Sequence, residues 1–143
     1  MNKALLTVFA NFQIDNLERL QRMKDSFNSF VKVNPNQYVV NIRGKFKNKA
    51  GKFLKQKVGK KLDLTYFNSR RGWFYDSRNI SKKISSKYVF FWIEDHLLIS
   101  SAKIFKNCIK EMRLFKADQL QYSLLHDEMR KTWSIPPALK VGK

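Results

Sequence analysis

The chain has 143 residues, 43% of them hydrophobic, with 12 Phe, 5 Tyr and 3 Trp. That is enough to bury roughly 70% of the unfolded surface in one ordinary domain, which excludes a disordered chain. The net charge of +18 points to polyanionic partners, and a single cysteine, Cys108, excludes an intramolecular disulfide.

Leu5 to Ala10 reads as a first, buried strand. No small-residue cleavage site follows it, so it is not taken for a signal peptide. Asn16 is placed to cap a helix in which Leu17, Leu20, Met23, Phe27 and Phe30 recur at three- and four-residue spacing. Asn34-Pro35-Asn36 stops that helix. Tyr38 to Ile42 forms a second strand, closed by Gly44. Phe46, Ala50, Phe53, Leu54 and Val58 mark the apolar face of a second helix that Gly59 ends.

This second helix lies in the most basic part of the chain. From Arg43 to Lys61 there are nine cations and no acid, half of the net charge. Such a field suits nucleic acid, anionic lipid headgroups or phosphorylated substrates, or is a solvated helix face.

Leu62 to Phe67 reads as a third strand. A short helical segment follows Asn68-Ser69-Arg70-Arg71-Gly72, with Ile80 and Ile84 on one side. Tyr88 to Ile93 is an unbroken apolar run, as of a strand buried on both faces of a covered parallel sheet. It ends abruptly in Glu94-Asp95-His96. In open α/β sheets the ligand crevice lies at the carboxyl ends of such strands, so these residues mark either a site or a solvated strand end. Ser100-Ser101 can cap a last helix marked by Ala102, Phe105, Ile109 and Met112, with Cys108 as a buried structural thiol in its stripe. Leu120 to Leu125 fits strand or helix equally, and Trp133, Pro136 and Pro137 suggest an irregular end.

The alternation predicts an α/β fold: a three-layer sandwich with a mainly parallel, Rossmann-like sheet. One domain is expected over 1–143, with its core in 1–114 and a short capping or acceptor-side tail in 115–143. No glycine-rich phosphate loop, zinc spacing or nucleophile elbow occurs. Asn11-Phe12-Gln13 stands where a dinucleotide fold needs its glycines. No apolar run reaches the ~18 residues of a membrane span. A lone cysteine suits a reducing compartment, so a cytoplasmic location, with peripheral attachment to the membrane, is expected.

The order of elements and residues 70–96 resemble the nucleotide-sugar-binding half of family 2-like glycosyltransferases with the A-type glycosyltransferase fold. There, a Gly and an Ala-Arg-Asn stretch precede a hydrophobic strand that ends in an Asp-x-Asp metal motif. Gly72, Ser77-Arg78-Asn79 and Glu94-Asp95-His96 stand at matching distances here. The resemblance covers roughly residues 4–114 and implies a small or truncated member. Two positions depart from it: Asn41-Ile42-Arg43 replaces the usual Asp after the second strand, and Glu-Asp-His replaces Asp-x-Asp.

The resemblance implies a hexosyltransferase moving a sugar from a nucleotide-diphosphate donor to a glycan or lipid-linked acceptor. Glu94, Asp95 and His96 become metal ligands for Mn²⁺ or Mg²⁺, with Asp95 bridging metal and diphosphate. On a strand, Asp95 faces away from Glu94 and His96, so convergence requires the chain to leave the strand at Glu94. Arg78 lies near the nucleotide or donor sugar and Asn79 pins the preceding loop. Asn11 and Arg43 are further substrate-binding candidates, and Arg70 and Arg71 offer guanidinium forks for phosphate. Asp127 and Glu128, beside His126, are candidates for the base, as is Asp118. Two other functions fit the residues. The basic helix and the Arg70-Arg71-Gly72-Trp73-Phe74-Tyr75 cluster suit an RNA-binding module. The altered motifs suit an inactive adaptor.

Overall fold

A computed structural model describes residues 6–118. Strands and helices alternate along them: β1 (Leu6–Gln13), α1 (Leu17–Phe30), β2 (Gln37–Arg43), α2 (Lys47–Val58), β3 (Leu62–Thr65), α3 (Gly72–Ser81), β4 (Tyr88–Phe91) and α4 (Ala102–Leu114). Contacts divide the chain into two compact units, 1–109 and 110–143. The sheet belongs to the first, and the second is described only as far as Asp118.

The four strands form one sheet in the order β3-β2-β1-β4, and every pairing is parallel. Parallel neighbours need crossovers, and the helices supply them. The chain steps from β1 outward to β3, then returns through α3 to the other side of β1. Strand order therefore reverses between β1 and β4.

Alternation along each strand assigns the two faces. Val8 and Phe12 of β1 and Tyr38, Val40 and Ile42 of β2 belong to the face that packs on α1 and α2. Leu20, Met23, Phe27 and Phe30 form the buried stripe of α1. Phe27 and Phe30 meet Trp92 with ring centroids 5.9 and 5.0 Å apart, and Trp92 meets Phe12 edge-on at 4.6 Å. Such pairs add about 1 kcal/mol each beyond area burial. On the opposite face Phe9 and Val39 form a smaller core with Ile80 of α3, joined by Ile84 and Val89. The α/β expectation with helices on both faces of a parallel sheet is met.

The predicted caps hold. The Asn16 side chain accepts from the Arg19 backbone N–H at 2.8 Å, and Ser101 Oγ accepts from the N–H of Ile104 at 3.3 Å. Gly59 ends α2 at φ +64°.

Strand lengths differ from expectation, each for a visible reason. β1 runs on to Gln13 because Asn11, Phe12 and Gln13 continue the ladder with Asn41, Ile42 and Arg43. β3 stops at Thr65, since a side chain of β2 takes over the backbone of Phe67. β4 stops at Phe91, since α1 captures the residues beyond it. Among the described residues β4 is also an edge strand, paired only with β1. The expectation that Tyr88 to Ile93 is buried on both faces is therefore corrected: Tyr88 and Trp92 are buried, but Phe91 is 68% exposed. Leu17, assigned to the apolar stripe of α1, is likewise exposed, and Cys108 is only partly buried.

Candidate functional site

The carboxyl ends of the strands carry the polar residues singled out in the sequence. The ends of β1 and β2 are locked together. Ile14 N–H donates to the Arg43 carbonyl and Phe46 N–H to the Ile14 carbonyl, both at 2.9 Å. Gly44, at φ +93°, permits this closure, because a Cβ there would lie 2.5 Å from the Ile14 oxygen. Beside it, the Asp15 carboxylate accepts from Gln13 Nε2 at 2.9 and 3.0 Å. Arg43 ends β2 opposite Gln13, half-buried, and its buried Nε has no hydrogen-bond partner.

On the α3 face, two adjacent asparagines organise the strand ends. Asn41 is fully buried. Its Nδ2 donates to Asn11 Oδ1 and to the Phe67 carbonyl, both at 2.9 Å. Its Oδ1 accepts from the Phe67 N–H at 2.7 Å and from Thr65 Oγ1 at 3.0 Å. The side-chain amide thus replaces a strand partner for Phe67, satisfying both its backbone groups. Asn11 Nδ2 in turn donates to Ser77 Oγ at 2.8 Å and the Trp73 carbonyl at 3.2 Å, while Trp73 Nε1 donates to the Asn11 carbonyl at 3.0 Å.

This network sets the residue type at position 41. An ionised carboxylate only accepts, so it cannot donate to Asn11 Oδ1 and the Phe67 carbonyl. Asn41 is the residue type the network demands. Asn11, a predicted substrate contact, is engaged in the same network.

The other predicted substrate contacts on and before α3 take no part in this network. Arg70 and Arg71 are exposed on the loop into α3, and the Arg71 guanidinium lies 4.8 Å from the Tyr75 ring centroid. The loop is held to α3 by buried Asp76, whose carboxylate accepts from the Ser69 N–H at 3.2 Å. Trp73, anchored through its indole N–H, remains 51% exposed, next to exposed Phe74. Arg78 is on the solvent side of α3, away from buried Asp76 and Ile80, and Asn79 is half-buried.

The acidic motif is placed differently. The chain does leave the strand after Phe91, and His96 N–H donates back to the Ile93 carbonyl at 3.2 Å, closing a turn over Glu94 and Asp95. Two serines of α1 hold this turn from behind. Ser26 Oγ accepts from Trp92 Nε1 at 2.9 Å and donates to the His96 carbonyl. Ser29 Oγ accepts from the Leu98 N–H at 2.9 Å and donates to the Ser26 carbonyl at 2.6 Å.

Glu94 and Asp95 then diverge. Glu94 Oε1 lies 3.6 Å from Arg19 Nη1, which also donates to the Gln13 carbonyl at the end of β1. Asp95 Oδ1 lies 3.8 Å from His96 Nε2, with both side chains more than half exposed. No group of three His, Cys, Asp or Glu side chains gathers among the described residues. The Asp95 carboxylate offers oxygen donors of the kind Mn²⁺ or Mg²⁺ takes, whereas an imidazole such as that of His96 is a donor Mg²⁺ rarely uses. Glu94 is turned toward Arg19. Asp118 lies at the end of the described residues, and His126, Asp127 and Glu128 lie outside them.

Sequence reasoning missed Ser26, Ser29 and Arg19, and it named Trp73 and Ser77 without foreseeing their bonds to the end of β1. Ser26 had a legible signal: it sits within the apolar stripe of α1, and a buried hydroxyl there requires a partner. In comparisons with known proteins, no protein-family model matches the chain and no curated sequence is significantly similar to it.

Proposed function

We propose that the chain is a glycosyltransferase, or the donor-binding part of one, that moves a hexose from a nucleotide diphosphate to a glycan or lipid-linked acceptor. The observation that supports it best is the exposed Asp95–His96 pair, on a turn at the carboxyl end of β4 beside β1. There the strand order reverses, the position at which open parallel sheets hold nucleotides. The finer fold assignment, the A-type glycosyltransferase fold, belongs to this proposal too.

In the proposed reaction the acceptor oxygen bonds to the anomeric carbon as its bond to the diphosphate breaks. The nucleoside diphosphate leaves with the electron pair, and the acceptor proton passes to a base, for which Asp127 and Glu128 are the candidates. Negative charge grows on the leaving diphosphate, and preorganised cations stabilise it. Asp95 and His96 would hold a divalent cation, which supplies Lewis-acid neutralisation of that charge. Arg70 and Arg71 stand exposed on the loop into α3 to take phosphate oxygens. Arg19, fixed between Gln13 and Glu94, keeps the turn against the end of β1.

A panel of UDP- and GDP-sugars with Mn²⁺, read by thermal shift, tests the proposal. One donor raises the Tm, and Asp95→Ala abolishes the rise. A flat response across the panel rejects it. A second reading, a single-stranded RNA module, draws on the exposed rings of Phe67, Trp73 and Phe74 beside Arg70 and Arg71. RNA binding that is lost in Trp73→Ala, with no response to any nucleotide sugar, favours that reading.

A further inference from the structure

Helix α2 spans 12 residues, a rod about 18 Å long. Ala50, Gly51 and Leu54 turn into the protein and are buried. Lys49, Lys52 and Lys55 recur every three residues on the opposite side, all exposed, flanked by exposed Lys45, Lys57 and Lys60. None of these six lysines takes part in the ion pairs among the described residues, which join Arg19 to Glu94, Arg22 to Glu18, Lys83 to Asp63 and His96 to Asp95. Lys61, by contrast, is engaged by Asn34 and Pro35. The face is a field of ammonium groups with no counter-charge.

We infer that the outer face of α2 docks the protein on an anionic lipid bilayer. This goes beyond the proposed activity and does not depend on it. Two features select a bilayer over a nucleic acid. The exposed cations of the face are all lysines, point charges suited to a diffuse layer of headgroups, without the planar guanidinium forks that read individual phosphates. The aromatic rings of the segment are also withdrawn. Phe46 and Phe53 are partly buried, and each has one ring face occupied by an ammonium group, Lys49 at 5.3 Å and Lys24 at 5.8 Å, so neither stands out as a stacking platform for a base.

Co-sedimentation of the full chain with extruded vesicles tests this. Vesicles of phosphatidylcholine containing phosphatidylglycerol capture the protein, pure phosphatidylcholine does not, and added salt releases it. Each lysine removed from the face weakens partitioning about fivefold, so Lys49→Gln/Lys52→Gln/Lys55→Gln together weaken it roughly a hundredfold. A control triple, Lys82→Gln/Lys103→Gln/Lys106→Gln, removes the same charge from other exposed positions and loses far less. Circular dichroism confirms that both triples are folded before they are compared. Three results overturn the inference: no capture by anionic vesicles, equal capture by neutral ones, or equal losses in the two triples. Single-stranded RNA binding abolished by the α2 triple, without vesicle capture, assigns the face to nucleic acid and overturns it as well.

Discussion

The paired ends of β1 and β2 and the end of β4 treat their polar residues in opposite ways. At the ends of β1 and β2, Asn11 and Asn41 point inward and spend their amides on one another, on Phe67, Thr65, Ser77 and Trp73. At the end of β4, the backbone is held from behind by Ser26 and Ser29, and the Asp95 and His96 side chains are left outside. A polar residue at a strand end is thus no guide to a site until its partners are known. Where the partners are internal, the residue builds the rim. Where only the backbone is tied, the side chain is free for a ligand.

That contrast can be broken by substitution, and the largest effect belongs to the inward network. Asn41→Ala strands the Phe67 N–H and carbonyl and removes a partner of Asn11 and of Thr65. It costs about 3 kcal/mol, because four hydrogen bonds of a fully buried side chain are lost at about 0.5–1.5 kcal/mol each, and urea denaturation measures the loss. Asn41→Asp does not restore it at neutral pH, since the donor is still missing. Gly44→Ala comes next, at about 2 kcal/mol by the same assay, from a non-glycine residue at φ +93° pressed on the Ile14 carbonyl.

Burial of Tyr38 against the aromatic face of α1 pushes its phenol up to about 12 from 10.0. The folded state therefore holds this proton through a pH window in which the unfolded chain has lost it. The stabilisation is complete below pH 10 and is lost as pH rises toward 12, by about 2 kcal/mol. Denaturation at pH 8 and 11 shows this loss as a larger fall in the native protein than in Tyr38→Phe. Ser26→Ala deprives Trp92 Nε1 and the His96 carbonyl of their partner and costs about 1–2 kcal/mol. Asp95→Asn, at the outward end, changes stability by less than about 0.5 kcal/mol, as surface substitutions do.

The βα order, the caps at Asn16 and Ser101 and the stripe of α1 were legible because periodicity and capping are local properties of the chain. Strand lengths were not. β3 ends where Asn41, 24 residues earlier than Thr65, replaces its partner strand, and no window of sequence contains both sides of that exchange. The apolar run from Tyr88 to Ile93 fits a covered central strand equally well. Its place at the edge of the described sheet depends on the return through α3, which strand periodicity cannot report. At the candidate site the turn after the run was foreseen as a condition for metal binding. That Glu94 turns to Arg19 while Asp95 meets His96 depends on α1, packed beneath the turn. Arg78 and Asn79 were chosen by motif distance. Helix phase instead directs their neighbours Trp73 and Ser77 to the strand ends.

We propose that the pair at the end of β4, and not the asparagine rim, meets the donor. Calorimetric titration of a responding nucleotide sugar, with and without Mn²⁺, tests it most directly. The proposed site requires metal-dependent binding to the native chain, little or none to the folded Asp95→Asn variant, and heats that vanish when the metal is chelated. Equal affinity of the native and Asp95→Asn proteins, or binding indifferent to the metal, would contradict it.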